Sequence, residues 1–129
     1  MSAAGGEPSR ARQEDPCRTR EVLDIVGDKW SLLVVRNLSR GPRRFTELKR
    51  AIDGISQRML TATLRSLERD GILTRSVRAV MPPHVSYALT PMGRTLREAT
   101  APLLEWSITN LAGIDAARAA YDARPQAPS

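Results

Sequence analysis

The chain has 129 residues, a length that fits one domain, and its 41% hydrophobic content supports one modest core. No apolar run approaches the roughly 18 residues of a membrane helix, and one cysteine with one histidine excludes an internal disulfide or a closed zinc site. Twenty Lys+Arg against 14 Asp+Glu leave +6, and only Lys29 and Lys49 are lysines, so the cations are almost all arginines, whose planar forks match phosphate and the guanine edge.

The opening MSAAGGEPSRARQEDP lacks the apolar segment of a secretory signal, so a cytoplasmic location is expected. Residues 1–16 are expected to be a disordered lead, 17–115 the folded domain, and 116–129 a flexible tail. No cofactor or metal is expected. Neither a nucleophile–base set nor a phosphate-cradling glycine loop is present, which argues against an enzyme. The positive excess concentrates in residues 43–69, where seven bases face three acids. That is the footprint of a nucleic-acid partner rather than of a membrane.

From Cys17 to Val26, the residues Val22, Leu23 and Val26 recur at helical spacing and Gly27 closes the segment. Asp28 stands where an N-cap belongs, ahead of an apolar helix over Lys29–Ser39, and Gly41-Pro42 ends it. Arg43–Phe45 reads as extended, with Thr46 the expected cap of a brief helix Glu47–Ala51. Asp53-Gly54 is a turn. Ser56 caps the next helix, Gln57–Asp70, and Gly71 stops it. Two helices joined by a short turn, the second longer and basic, form the helix-turn-helix pattern.

After Gly71 the period changes to alternation over Leu73–Ala79 and His84–Leu89, with Val85, Tyr87 and Leu89 on one face and Met81-Pro82-Pro83 between the strands. Thr90-Pro91 then opens a last helix, cap followed by proline, running through Leu96, Ala99, Leu103, Trp106, Leu111 and Ile114. The predicted fold is mainly α with a small β-hairpin wing: a winged helix-turn-helix flanked by N- and C-terminal dimerisation helices.

On the helix after Ser56, the leucines Leu60, Leu64 and Leu67 share one arc that must face the core. The opposite arc carries Arg58, Ala62, Arg65 and Arg69, flanked by Thr61 and Gln57. Arginine to guanine, glutamine to adenine and threonine methyl to thymine are the pairings that major-groove chemistry favours. Ser56, Gln57, Arg58, Thr61, Ala62 and Arg65 are therefore the candidate base-reading set. Arg43, Arg44, Thr46, Lys49 and Arg69 are the candidates for the DNA backbone. In the wing, Arg78 and His84 flank the tip and Arg75 sits nearer the strand base. The competing reading is a solvated arginine face paired with Glu68 or Asp70.

Leu96, Ala99, Leu103 and Trp106 follow three- and four-residue steps, and Leu104, Ile108 and Leu111 make a second stripe. Two stripes on one helix point to a homodimer, with Leu96, Leu103, Trp106 and Leu111 at the interface. Cys17 opens the first helix beside Arg18 and near Arg20, an environment that favours thiolate. It is a candidate oxidisable thiol; the alternative is a small apolar residue at a helix start.

The runs Leu23-Asp24-Ile25-Val26-Gly27-Asp28-Lys29-Trp30, Arg43-Arg44-Phe45-Thr46-Glu47-Leu48, Leu67-Glu68-Arg69-Asp70-Gly71-Ile72-Leu73 and Pro82-Pro83…Val85…Tyr87…Leu89-Thr90 stand in order after Cys17. Together they resemble the HxlR family of bacterial transcription regulators, relatives of the MarR group, over roughly residues 17–106. The resemblance implies a homodimeric winged-helix repressor or activator, read here as a repressor of a near-palindromic double-stranded DNA operator. It also implies dimerisation through the first and last helices, which adds Val22, Leu23 and Val26 to the interface, and, in some members, oxidant or electrophile sensing at the position of Cys17. Arg18, Arg78 and Ser86 depart from the family's pattern, which has proline after the cysteine and an aromatic and an acid in the wing. Two other readings stay open: a regulator with a pocket for a small aromatic effector at the dimer interface, near Trp30 and Trp106, and a winged helix that binds protein instead of DNA.

Overall fold

The computed structural model describes residues 16–125; the expected N-terminal lead, apart from Pro16, and residues 126–129 lie outside it. In chain order the elements are α1 (Pro16–Gly27), α2 (Ser31–Asn37), β1 (Arg43–Arg44), α3 (Phe45–Ala51), α4 (Gln57–Arg69), β2 (Leu73–Arg78), β3 (His84–Leu89) and α5 (Pro91–Asp122). The helices pack around a three-stranded antiparallel sheet of order β1-β3-β2.

Local chemistry accounts for most boundaries. Asp28 caps α2, its Oδ1 accepting from the Trp30 and Ser31 N–H groups at 2.9 and 3.0 Å. One turn of chain separates that carboxylate from the helix, so α2 starts at Ser31 rather than at Lys29, and it ends at Asn37. Thr46 is not the cap of α3. The helix already begins at Phe45, and the Arg44 N–H donates to Glu47 Oε1 at 2.8 Å, so a carboxylate three residues downstream closes the helix start. Ser56 caps α4 as expected, its Oγ accepting from the Met59 N–H at 3.1 Å. Gly71, at φ +77°, ends α4 in a left-handed turn. There the Gly71 and Ile72 N–H groups return to the Glu68 and Leu67 carbonyls at 3.0 and 2.9 Å.

Leu60, Leu64 and Leu67 are buried beside Val34, Leu48 and Leu73, and they anchor α4 to α2, α3 and the sheet. Each buried leucine of this kind contributes roughly 1.5–3 kcal/mol through removal from water. Tyr87 and Leu89 complete the core from β3, and Val85 packs against it. The short extended piece before α3 is a third strand: Arg43 pairs with Tyr87 and Arg44 with Ser86, while β2 pairs with β3 from Leu73–Leu89 to Arg78–His84.

A clasp joins α4 to α5. The Thr90 Oγ1 donates to the Gly71 and Ile72 carbonyls at 2.6 and 3.1 Å and accepts from the Gly93 N–H at 3.0 Å. Gly93 passes so close to the Ile72 carbonyl that no Cβ fits there. α5 then runs 32 residues, through Pro102, to Asp122. It continues well past residue 115, where the flexible tail was expected to begin, because the alanine-rich stretch after Asp115 consists of strong helix formers.

Candidate nucleic-acid interface

α3, the turn after it and α4 form the helix-turn-helix, and β2–β3 form the wing. The orientation of α4 follows from its leucines. With Leu60, Leu64 and Leu67 buried to within 2% exposure, the 100° wheel turns Arg58, Ala62, Arg65 and Arg69 outward, and all four are exposed, as is Gln57 in the first turn. Thr61 is half-buried at the edge of that face. Thr63 lies in the leucine arc and is buried, a placement the same wheel dictates. Ser56 sits at the N-cap with its oxygen engaged by Met59.

Two grooves flank this face. One, about 390 Å³, lies between α4 and the sheet and brings Thr61, Arg65 and Glu68 together with Arg75 and Tyr87. Arg75 pairs across the ladder with Tyr87 and therefore shares the core-facing side of the hairpin, which places it beside α4. Arg78 and His84 form the last pair of the ladder on the other face, next to the tip. The tip exposes Met81 almost completely.

The second groove, about 470 Å³, lies between α3 and the start of α4, and Thr46, Lys49, Arg50 and Gln57 line it with Phe45. Arg50 belongs to this set although only the charge count of the central block pointed to it. Arg44 and Arg69 are exposed. Arg43 is not brought to this groove: its half-buried side chain lines a separate cavity with Arg36, Arg40 and Arg97. Chemically, the exposed α4 face offers guanidinium and amide donors, and the α3–α4 groove offers the cations of Lys49 and Arg50.

The expected dimer residues divide. Leu96 packs on the chain's own core and Val26 is half-buried, whereas Val22, Leu23, Leu103, Trp106 and Leu111 are each about half exposed. Ile108 is 66% exposed. An apolar groove of about 560 Å³, lined by Val22, Ile25, Met92, Leu96 and Ala99 among others, runs between α1 and α5. The two tryptophans differ in setting. Trp30 packs against the core with Lys29 Nζ 5.1 Å above its ring, and Trp106 is exposed on α5. Cys17 falls in the first turn of α1, and its side chain lies outside the described set. Among the described residues no cluster of His, Cys, Asp or Glu could hold a metal ion, and no helix is long and apolar enough to cross a membrane.

A buried leucine arc, an exposed arginine arc and an antiparallel hairpin define the class: this is a winged helix-turn-helix protein. The profile of the HxlR-like helix-turn-helix family matches residues 25–114, and the chain belongs to that family of helix-turn-helix transcriptional regulators. It is 42% identical over 104 residues to the uncharacterized HTH-type transcriptional regulator YtfH of Escherichia coli (strain K12), covering 81% of this chain and 82% of that protein. The structure of ytfH from Salmonella typhimurium superposes with a TM-score of 0.72 at 40% identity, over 82% of this chain and 93% of the other. The redox regulator HypR in its oxidized form gives 0.68 at 41% identity, over 73% and 97%.

Proposed function

We propose that two copies of the chain associate through α1 and α5 and bind a near-palindromic DNA operator, one α4 in each of two successive major grooves about 34 Å apart, as a repressor. The observation that carries this reading is the division of α4: three leucines inside, Arg58 and Arg65 outside with alanine and threonine between them. In this reading Gln57, Arg58, Thr61, Ala62 and Arg65 meet base edges, with Ser56 at the helix start. Arg44, Thr46, Lys49 and Arg69 hold phosphates, while Arg75, Arg78 and His84 present the wing to the flanking groove. The half-exposed apolar residues on α1 and α5 support the dimer, because a monomer rarely leaves such a set in water.

The test is fluorescence anisotropy on a selected operator and on random duplex across a salt series. Arg58→Ala and Arg65→Ala should each cost about 1–3 kcal/mol on the operator and little on random DNA. Lys49→Ala should weaken both duplexes alike and lower the salt slope by about one. Equal losses on both duplexes for the two arginines would remove direct base readout. Absence of any salt-dependent DNA binding would leave the protein-interaction reading.

A second element of the proposal is that oxidation or alkylation of Cys17 switches DNA binding. What supports it is the 41% identity to a protein described as a redox regulator in its oxidized form, together with the placement of Cys17 at the start of α1.

A further inference from the structure

We infer that the cavity between α2, the end of α3 and α5 binds a small molecule bearing a multiply charged oxyanion group, phosphate or polycarboxylate. The cavity holds about 610 Å³ and draws arginines from four places: Arg36 from the last turn of α2, Arg40 from the loop after it, Arg43 from β1 and Arg97 from the second turn of α5. Asp53, just after α3, is the one acid in its lining. Among the described residues none of these five side chains forms an ion pair, so Asp53 neutralises none of the four cations directly.

Arg97 is the group that demands a ligand. Its Nε and Nη1 atoms are sealed from water and have no hydrogen-bond partner among the described residues. Arg97 as a whole is half-buried, and the two unpaired N–H groups carry the cost of lost hydration without a bond in return. The usual escape of a buried cation, shedding its proton, is closed to arginine as a residue type. An oxyanion in the cavity would accept from the guanidinium groups that line it, whose paired N–H donors suit carboxylate and phosphate. Arg36 and Arg40, both exposed at the mouth, would meet the remaining charge. Four guanidinium groups against one carboxylate set the expected ligand charge at two or more negative units.

Position separates this site from the DNA-facing one. No residue of α4 or of the β2–β3 hairpin lines it. It bridges α5, the proposed dimer helix, to α2 and the end of α3. Occupancy would therefore brace the long helix against the helix-turn-helix; that consequence, unlike the binding itself, rests on the operator reading above.

The test needs no DNA. Titration calorimetry and thermal shift on the full chain, at ionic strength held constant with sodium chloride, use inorganic pyrophosphate in one arm and citrate in the other. The expected result is saturable binding near one equivalent per chain with a concentration-dependent rise in Tm. Saturation by pyrophosphate alone assigns a phosphate-bearing ligand, and saturation by citrate alone assigns a polycarboxylate. Arg97→Met should weaken binding about tenfold or more and, in anion-free buffer, raise Tm by removing the uncompensated charge. Arg36→Gln, at an exposed position, should fold normally and also weaken binding. No saturable binding of either anion, or affinity unchanged in both variants, overturns the site while leaving the DNA reading intact.

Discussion

Gly93→Ala tests the clasp that fixes the end of α4 to the start of α5. A methyl group there would sit far inside van der Waals contact distance of the Ile72 carbonyl oxygen, with the Ile72 carbon at 3.0 Å and Leu89 Cδ2 at 3.2 Å. The obstacle is backbone, and it is already engaged: Ile72 O accepts from the Thr90 N–H at 3.0 Å and from Thr90 Oγ1 at 3.1 Å. Any retreat breaks those two bonds, about 0.5–1.5 kcal/mol each, and overpacking adds about 1–3 kcal/mol. Alanine's better helix propensity returns about 1 kcal/mol at most. The net destabilisation is about 2–4 kcal/mol, which for 129 residues lowers Tm by about 7–15 °C. Circular-dichroism melts and urea titrations at matched chain concentration read it directly. Gly113→Ala is the control: it sits in the same helix with open space where the methyl would stand, and it should be stabilising by about 0.5–1 kcal/mol. If Gly93→Ala behaves like Gly113→Ala, the close approach and the clasp built on it are wrong.

Ile108→Glu places a charge on the most exposed of the α5 apolar residues before Tyr121 and should yield a folded monomer in sedimentation analysis, with helical content unchanged. An intact dimer would move the subunit contact off this part of α5. Diamide treatment should release operator DNA from the native chain but not from Cys17→Ser, followed by anisotropy with intact-mass analysis in parallel; equal release from both would dismiss the thiol switch.

Periodicity made α4 legible. Leu60, Leu64 and Leu67 could share only one side of a helix, so the arginine arc followed by geometry, and Ser56 and Gly71 marked both ends with side-chain and backbone chemistry that acts within four residues. The hairpin alternation was legible for the same local reason. The start of α3 was not, because the group that closes it, Glu47, lies inside the helix and Thr46 looks like the better cap by residue type. The far end of α5 was missed because the polar, proline-bearing last residues lent their character to the helical alanines before them. The arginine cavity is invisible to any local rule: Arg36 and Arg97 are 61 positions apart in the chain and meet only through packing of α5 on α2.

The two-residue strand before α3 has a mechanical consequence. Because Arg43 and Arg44 are the ladder partners of Tyr87 and Ser86, the first helix of the helix-turn-helix springs directly from the sheet that carries the wing. In the operator reading, the two parts that straddle the duplex are thus joined through one sheet with no loop between β1 and α3. A double helix that engages both must adopt their spacing, so base steps untouched by any side chain would still be selected, by how readily they bend or narrow to fit.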